Sequence, residues 1–145
     1  MILSLEKLVT TLETSRRMKK LGFPQETVFY WVRQSMNGKM VDDWIIFDRR
    51  EPEMIHFKER VADGIYIAAY LSSEVGEILP YRIKWRAWSK DQDEYLLITS
   101  GKNDEGYYCD LTSNKTGKRL HTSYAPTESE ARGLLACWLK EQGLI

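Results

Sequence analysis

The segment Leu21-Gly22-Phe23-Pro24-Gln25-Glu26-Thr27-Val28-Phe29-Tyr30-Trp31-Val32 constrains this chain more than any other. A helix must end within it and a strand must begin. Arg16, Arg17, Lys19 and Lys20 crowd its approach, where the negative end of a helix dipole favours cations. Gly22 can take the left-handed conformation that closes a helix, and Pro24 cannot continue one. From Thr27 to Gln34 the chain is rich in aromatic and β-branched residues, the composition of a strand. Successive strand side chains point to opposite faces. Phe29 and Trp31 therefore face one way and Tyr30 the other, and both faces are apolar. One face must pack on the first or last helix. The other is either core as well or an aromatic surface for a partner, and the rarity of large exposed apolar patches favours core.

Upstream, Leu5, Leu8, Val9 and Leu12 fall at i, i+3, i+4 and i+7. This spacing predicts a helix over 4–21 with Ser4 as its N-cap. Downstream, Asn37-Gly38 is a hairpin signal, and Trp44-Ile45-Ile46-Phe47 lies on the returning strand. Residues 48–64 read as a loop around Glu51-Pro52-Glu53 with a short strand at 54–57. Ile65 to Tyr70 reads as strand; Ser72 or Ser73 then opens a short helix that Pro80 ends. Arg82 to Trp88 alternates, and further strands are expected at 95–99, 107–112 and 120–124. Gly101 to Gly106 reads as a polar loop between two of them. Thr127-Glu128-Ser129-Glu130 is a capping box, in which the Glu130 side chain reaches back to the start of its own helix. Ala131, Leu134, Leu135, Trp138 and Leu139 form that helix's buried stripe, and Gly143 stops it.

This order predicts an α+β fold in one domain, residues 1–145. Its antiparallel sheet would have about five to six strands, with an N-terminal helix, a short middle helix and a C-terminal helix mainly on one face. A chain of 145 residues can bury roughly 70% of its unfolded surface, so it needs no disulfide or metal staple. Its 21 basic and 21 acidic residues cancel, leaving no global field to draw in DNA or an anionic membrane. Cys109 and Cys137 fit the buried thiols of a cytosolic protein better than a disulfide. An early acid, no leader-like apolar core and no run near the roughly 18 apolar residues of a membrane span make the cytoplasm the expected location.

Catalytic patterns are sparse. His56 and His121 are too few for a three-histidine zinc site. A nucleophilic cysteine would need one of them beside Cys109 or Cys137. Neither a Gly-rich phosphate loop nor a Gly-x-Ser-x-Gly elbow occurs, so no cofactor is expected. Acids gather at Asp42, Asp43, Asp48 and Glu51, and again at Asp91, Asp93 and Glu94. Such carboxylates can do acid–base work or hold Mg²⁺, but in turns they read as solvated loop charge. Arg82, Lys84, Arg86 and Trp88 would share one strand face. Cations with an aromatic suit phosphate contact and base stacking; the plainer reading is a solvent-facing strand whose long side chains cover the sheet.

Three segments carry a resemblance that spans most of the chain. They are Leu21-Gly22-Phe23-Pro24-Gln25 leading to Phe29-Tyr30-Trp31, Ala69 to Pro80, and Ala125-Pro126-Thr127-Glu128-Ser129-Glu130-Ala131-Arg132 followed by Leu134-Leu135. In these the chain resembles a group of small uncharacterised proteins of bacterial genomes and prophages. The resemblance implies an origin in a mobile element and implies no mechanism. The expected function is a non-enzymatic protein-interaction domain that meets a protein partner or its own copy, with Phe29 and Trp31 as its surface. The alternative is a nucleic-acid-binding accessory protein that uses Arg82, Lys84, Arg86 and Trp88.

Overall fold

A computed structural model describes residues 4–37, 39–50, 66–80, 82–84 and 95–145. In chain order these form a 3₁₀ turn (Leu5–Lys7), α1 (Leu12–Lys20), β1 (Phe29–Met36), β2 (Lys39–Asp48), β3 (Tyr66–Ala69) and α2 (Ser72–Ile78). There follow β4 (Arg82–Lys84), β5 (Tyr95–Asn103), β6 (Gly106–Ser113), β7 (Arg119–Ala125) and α3 (Glu128–Glu141). The fold is α+β, but the expected single sheet is replaced by two antiparallel sheets, ordered β2-β1-β3 and β4-β5-β6-β7. The split follows from β1. It is the central strand of its sheet, pairing β2 on one side and β3 on the other, while β4 to β7 each pair with the strand next in sequence. A central strand with apolar residues on both faces has elements packed against each of them.

Helices join the two sheets. α3 packs on β6 and β7, and α1 packs on α3 and on β3. The main core therefore runs from Tyr30, Val32 and Ala68 in one sheet to Leu96, Cys109 and Leu111 in the other. Met18 of α1, Val75 of α2 and Leu135 and Leu139 of α3 lie within it. Among the described residues no helix is long and apolar enough to cross a membrane.

The N-terminal helix is shorter than its periodicity predicts. It starts at Leu12, capped by Thr11, whose Oγ1 accepts the Thr14 N–H at 3.2 Å. The residues just before it are extended instead: Val9 bridges Leu71, and the Thr10 N–H donates to the Tyr70 carbonyl at 2.9 Å. Leu5 and Leu8, at the 3₁₀ turn, are exposed while Val9 is fully buried, so the three do not share one buried helix face. At the other end Gly22, with φ of +87°, closes α1 as expected.

The capping box at α3 forms only in part. Thr127 Oγ1 accepts the Glu130 N–H at 3.3 Å. The Glu130 carboxylate turns away from its own helix to α1, where it accepts the Thr11 N–H at 3.0 Å and the hydroxyls of Thr11 and Thr14 at 2.8 and 2.9 Å. Gly133 allows the two helices to meet closely. A Cβ at that position would lie 2.8 Å from Thr10 Cγ2 and 3.1 Å from Thr14 Cγ2. The polar loop expected from Gly101 to Gly106 is also shorter, because β5 runs on to Asn103 and the hairpin turns at Asp104 and Glu105. Tyr108, the cross-strand partner of Gly101, lays its ring over the space a side chain there would need. The strand expected at 54–57 lies outside the described residues.

Candidate functional site

Tyr30 and Tyr70 organise the inner face of β1. The buried Tyr30 hydroxyl donates to the Gln25 carbonyl at 2.6 Å and accepts the Thr27 N–H at 3.2 Å. The Tyr70 hydroxyl donates to the Pro24 carbonyl and accepts from Gln25 Nε2. Gln25 Oε1 in turn accepts the Ala68 N–H at 3.0 Å. Phe23 to Thr27 is thus fixed to the core by side-chain hydrogen bonds. Burial, and then the nearby Glu74 charge, push the Tyr70 phenol above the ordinary tyrosine range.

The outer face of β1 is different. Trp31 is 8% exposed and joins Val9, Ile67 and Ala69 in a second, smaller core. Its indole Nε1 donates to the Thr10 carbonyl at 3.0 Å. Trp31 is therefore interior, which corrects its expected place on a partner surface: the extended strap through Val9 and Thr10 covers it. Phe29 remains half-buried, and Trp44, Ile46, Leu12 and Leu71 are half-buried around it. The register explains the grouping, since Trp31 pairs with Ile46 and Arg33 with Trp44. Arg16 places its guanidinium carbon 5.0 Å from the Trp44 ring centroid, and Trp44 Nε1 donates to Asp42 at 3.3 Å. Among the described residues, this smaller core has 4 buried residues and 5 half-buried hydrophobics packed against them, so the described residues cover this face only in part. Sequence reasoning missed Trp44 and Ile46; the available signal was that both lie on one face of the returning strand.

The basic strand is described only at its start. Arg82 is exposed and holds its guanidinium carbon 5.3 Å from the Tyr95 ring centroid. Arg82 pairs with Leu97 and Lys84 with Tyr95. Arg86 and Trp88 lie outside the described residues, and the predicted set as a whole with them. On the same sheet face Tyr108 and Tyr124 form a tilted pair 6.5 Å apart.

Among the described catalytic-type groups, the two cysteines and His121 are packed against other side chains. Cys109 and Cys137 are free and buried, and burial pushes both thiols up to about 11. A thiol protonated at neutral pH is a poor nucleophile. His121 stacks on Trp138 with ring centroids 4.0 Å apart, and burial lowers its pKa. Asp42 and Asp43 are exposed. Hydrogen bonds from Arg50 hold the Asp48 carboxyl down at about 2. His56, Glu51, Asp91, Asp93 and Glu94 lie outside the described residues. Among the described residues no three His, Cys, Asp or Glu side chains converge as metal ligands.

Compared with protein-family models, curated proteins and solved structures, the chain matches none.

Proposed function

We propose that this chain is a cytoplasmic, non-enzymatic protein-interaction domain of phage or mobile-element origin, and that its working surface is the outer face of β1 and β2. The observation that carries this reading is the half-covered aromatic face of Phe29, Trp44 and Ile46 beside the buried Trp31. Half-buried apolar clusters that reach the surface are places where proteins can meet one another, and aromatic anchors dominate such contacts. The proposed partner is a second copy. The chain's 21 cations and 21 anions leave no net repulsion between copies. Both signs also border the patch, with Arg16 at Trp44 and Asp48 across from Phe29. Size-exclusion chromatography with light scattering tests this: a dimer is expected, and Trp44→Glu with Ile46→Glu should return it to monomer. A parent protein that stays monomeric at high concentration overturns self-association, and a native-lysate pull-down on the same variants then asks for another protein.

One observation favours the alternative of nucleic-acid binding: the exposed Arg82 lies over the half-buried Tyr95 ring, pairing a cation with a stacking ring. Arg82→Glu should abolish single-stranded oligonucleotide binding at low salt. A parent protein that binds no oligonucleotide ends this reading.

A further inference from the structure

The four-stranded sheet has two unlike faces. The inner face carries Cys109 and Leu111 into the core, where α3 packs on it. Strand side chains alternate, so the outer face takes Arg82 of β4, Tyr95 of β5, Tyr108 and Asp110 of β6, and Arg119 and Tyr124 of β7.

The rings of this face are placed unusually. Gly101 lies opposite Tyr108, and a Cβ there would fall 2.6 Å from Tyr108 Cζ. Glycine lets the phenol lie across the neighbouring strand, with one side of the ring against backbone. Tyr124 stands beside it, ring centroids 6.5 Å apart and planes at 57°. At 48% it is the most exposed large hydrophobic side chain among the described residues.

The charge on this face is of one sign. Arg82 is exposed above the Tyr95 ring, Arg119 is 59% exposed, and the exposed Lys118 adjoins it in the turn before β7. Asp110 is withdrawn from solvent, with a side chain 5% exposed and Oδ2 3.3 Å from Arg119 Nε. The exposed acids Asp104 and Glu105 lie past the tyrosine pair, at the β5–β6 turn, and bound the face there. Along β5, Tyr95 and Gly101 are separated by roughly 20 Å of extended chain. Rings at both ends of such a span, with cations among them, suit a single strand of nucleic acid, whose bases stack and whose phosphates meet arginines. A neutral sugar would leave the cations unused, and an acidic peptide would leave the rings unused.

We infer that the outer face of the β4–β7 sheet binds single-stranded nucleic acid, with a base stacked at Tyr108 and Tyr124 and the backbone passing Arg119 toward Arg82 and Tyr95. This rests on the nucleic-acid reading above and moves its centre from β4 to the tyrosine pair.

Fluorescence anisotropy at low salt with labelled oligothymidylate and oligouridylate tests it, the two probes separating DNA from RNA. The parent should bind at least one of them saturably. Tyr124→Ala should bind about tenfold more weakly, the weight of one base stacked on a ring. Tyr124→Phe keeps the ring and should bind like the parent. The exposure of Tyr124 leaves the core intact in both variants, which thermal melts check. Tyr124→Ala binding as tightly as the parent overturns the inference and leaves the reading through Arg82 standing. A parent that binds neither probe overturns both. Poly-glutamate displacing the probe as well as unlabelled oligonucleotide does would show attraction by charge alone and overturn the stacked geometry.

Discussion

Glu130, in the first turn of α3, caps α1 through Thr11: one carboxylate oxygen accepts the Thr11 N–H at 3.0 Å and the other its hydroxyl at 2.8 Å. The first turn of a helix leaves backbone N–H groups without partners, and here a second helix supplies the acceptor. Glu130→Ala leaves three donors unmet in a partly buried site. It should cost roughly 2–4 kcal/mol, read as a lower urea midpoint. Glu130→Gln keeps the shape and one acceptor, so it should cost less. An unchanged midpoint for the alanine variant would show that the cross-helix cap contributes nothing.

Thr11 and Thr127 both cap helices, yet their substitutions should differ. Thr127→Ala removes one acceptor for the Glu130 N–H and should cost about 1 kcal/mol. Thr11→Ala removes the acceptor for Thr14 and a donor to Glu130, so its loss should be larger, about 2 kcal/mol. Chemical denaturation of the two variants side by side gives the order, and equal losses would contradict it.

Gly133→Ala sets helix propensity against packing. Alanine gains up to about 1 kcal/mol in a helix interior. Its Cβ would meet Thr10 at 2.8 Å, and overpacking of this kind costs roughly 1–3 kcal/mol. The net effect should be a lower melting temperature. Gly133→Ala with Thr10→Ser, which removes the opposing methyl, should recover part of the loss; a melting temperature raised by Gly133→Ala alone would place the helices farther apart than described here.

Alkaline pH should weaken the fold. The folded thiols of Cys109 and Cys137 stay protonated up to about 11, whereas the ordinary value is 9.0. Their contribution is complete below pH 9 and is lost as pH rises to 11, because the unfolded chain ionises first. The loss should be roughly 2 kcal/mol per thiol, and the raised phenol of Tyr70 adds to it at the upper end. Stability measured from pH 8 to 11 should fall more steeply for the parent than for Cys109→Ala with Cys137→Ala. Parallel slopes would show that the thiols are not the groups responsible.

What could be read from the sequence was local. Gly22 and Pro24 close α1, Thr127 opens α3, and Asn37 takes the positive φ of 52° that its hairpin signal implies. Each depends on a few neighbouring residues. The α+β class followed from the order of such elements. The N-terminal helix was misread because Val9 obeys a helical spacing while its partner is Leu71, a contact set by tertiary packing. The capping-box pattern at Glu130 was correct in residue type, but the carboxylate found acceptor duty 119 residues away. The division into two sheets depended on β1 pairing with β3 across an intervening segment, which no turn signal specifies. The partner surface was half legible: alternation gave the face of Phe29 and Trp31, while the strap that covers Trp31 and the cross-strand placement of Trp44 and Ile46 needed three-dimensional register.

The bond between Thr11 and Glu130 also bears on the order in which this protein can be made. During synthesis the strap emerges early, but the carboxylate that anchors α1 behind it emerges only with the last helix. Contacts between distant parts of a chain form late because their loop must close first. Until Glu130 is in place, the start of α1 lacks the carboxylate that holds it behind the strap. A contact more than a hundred residues away thus finishes the anchoring of the segment that covers Trp31.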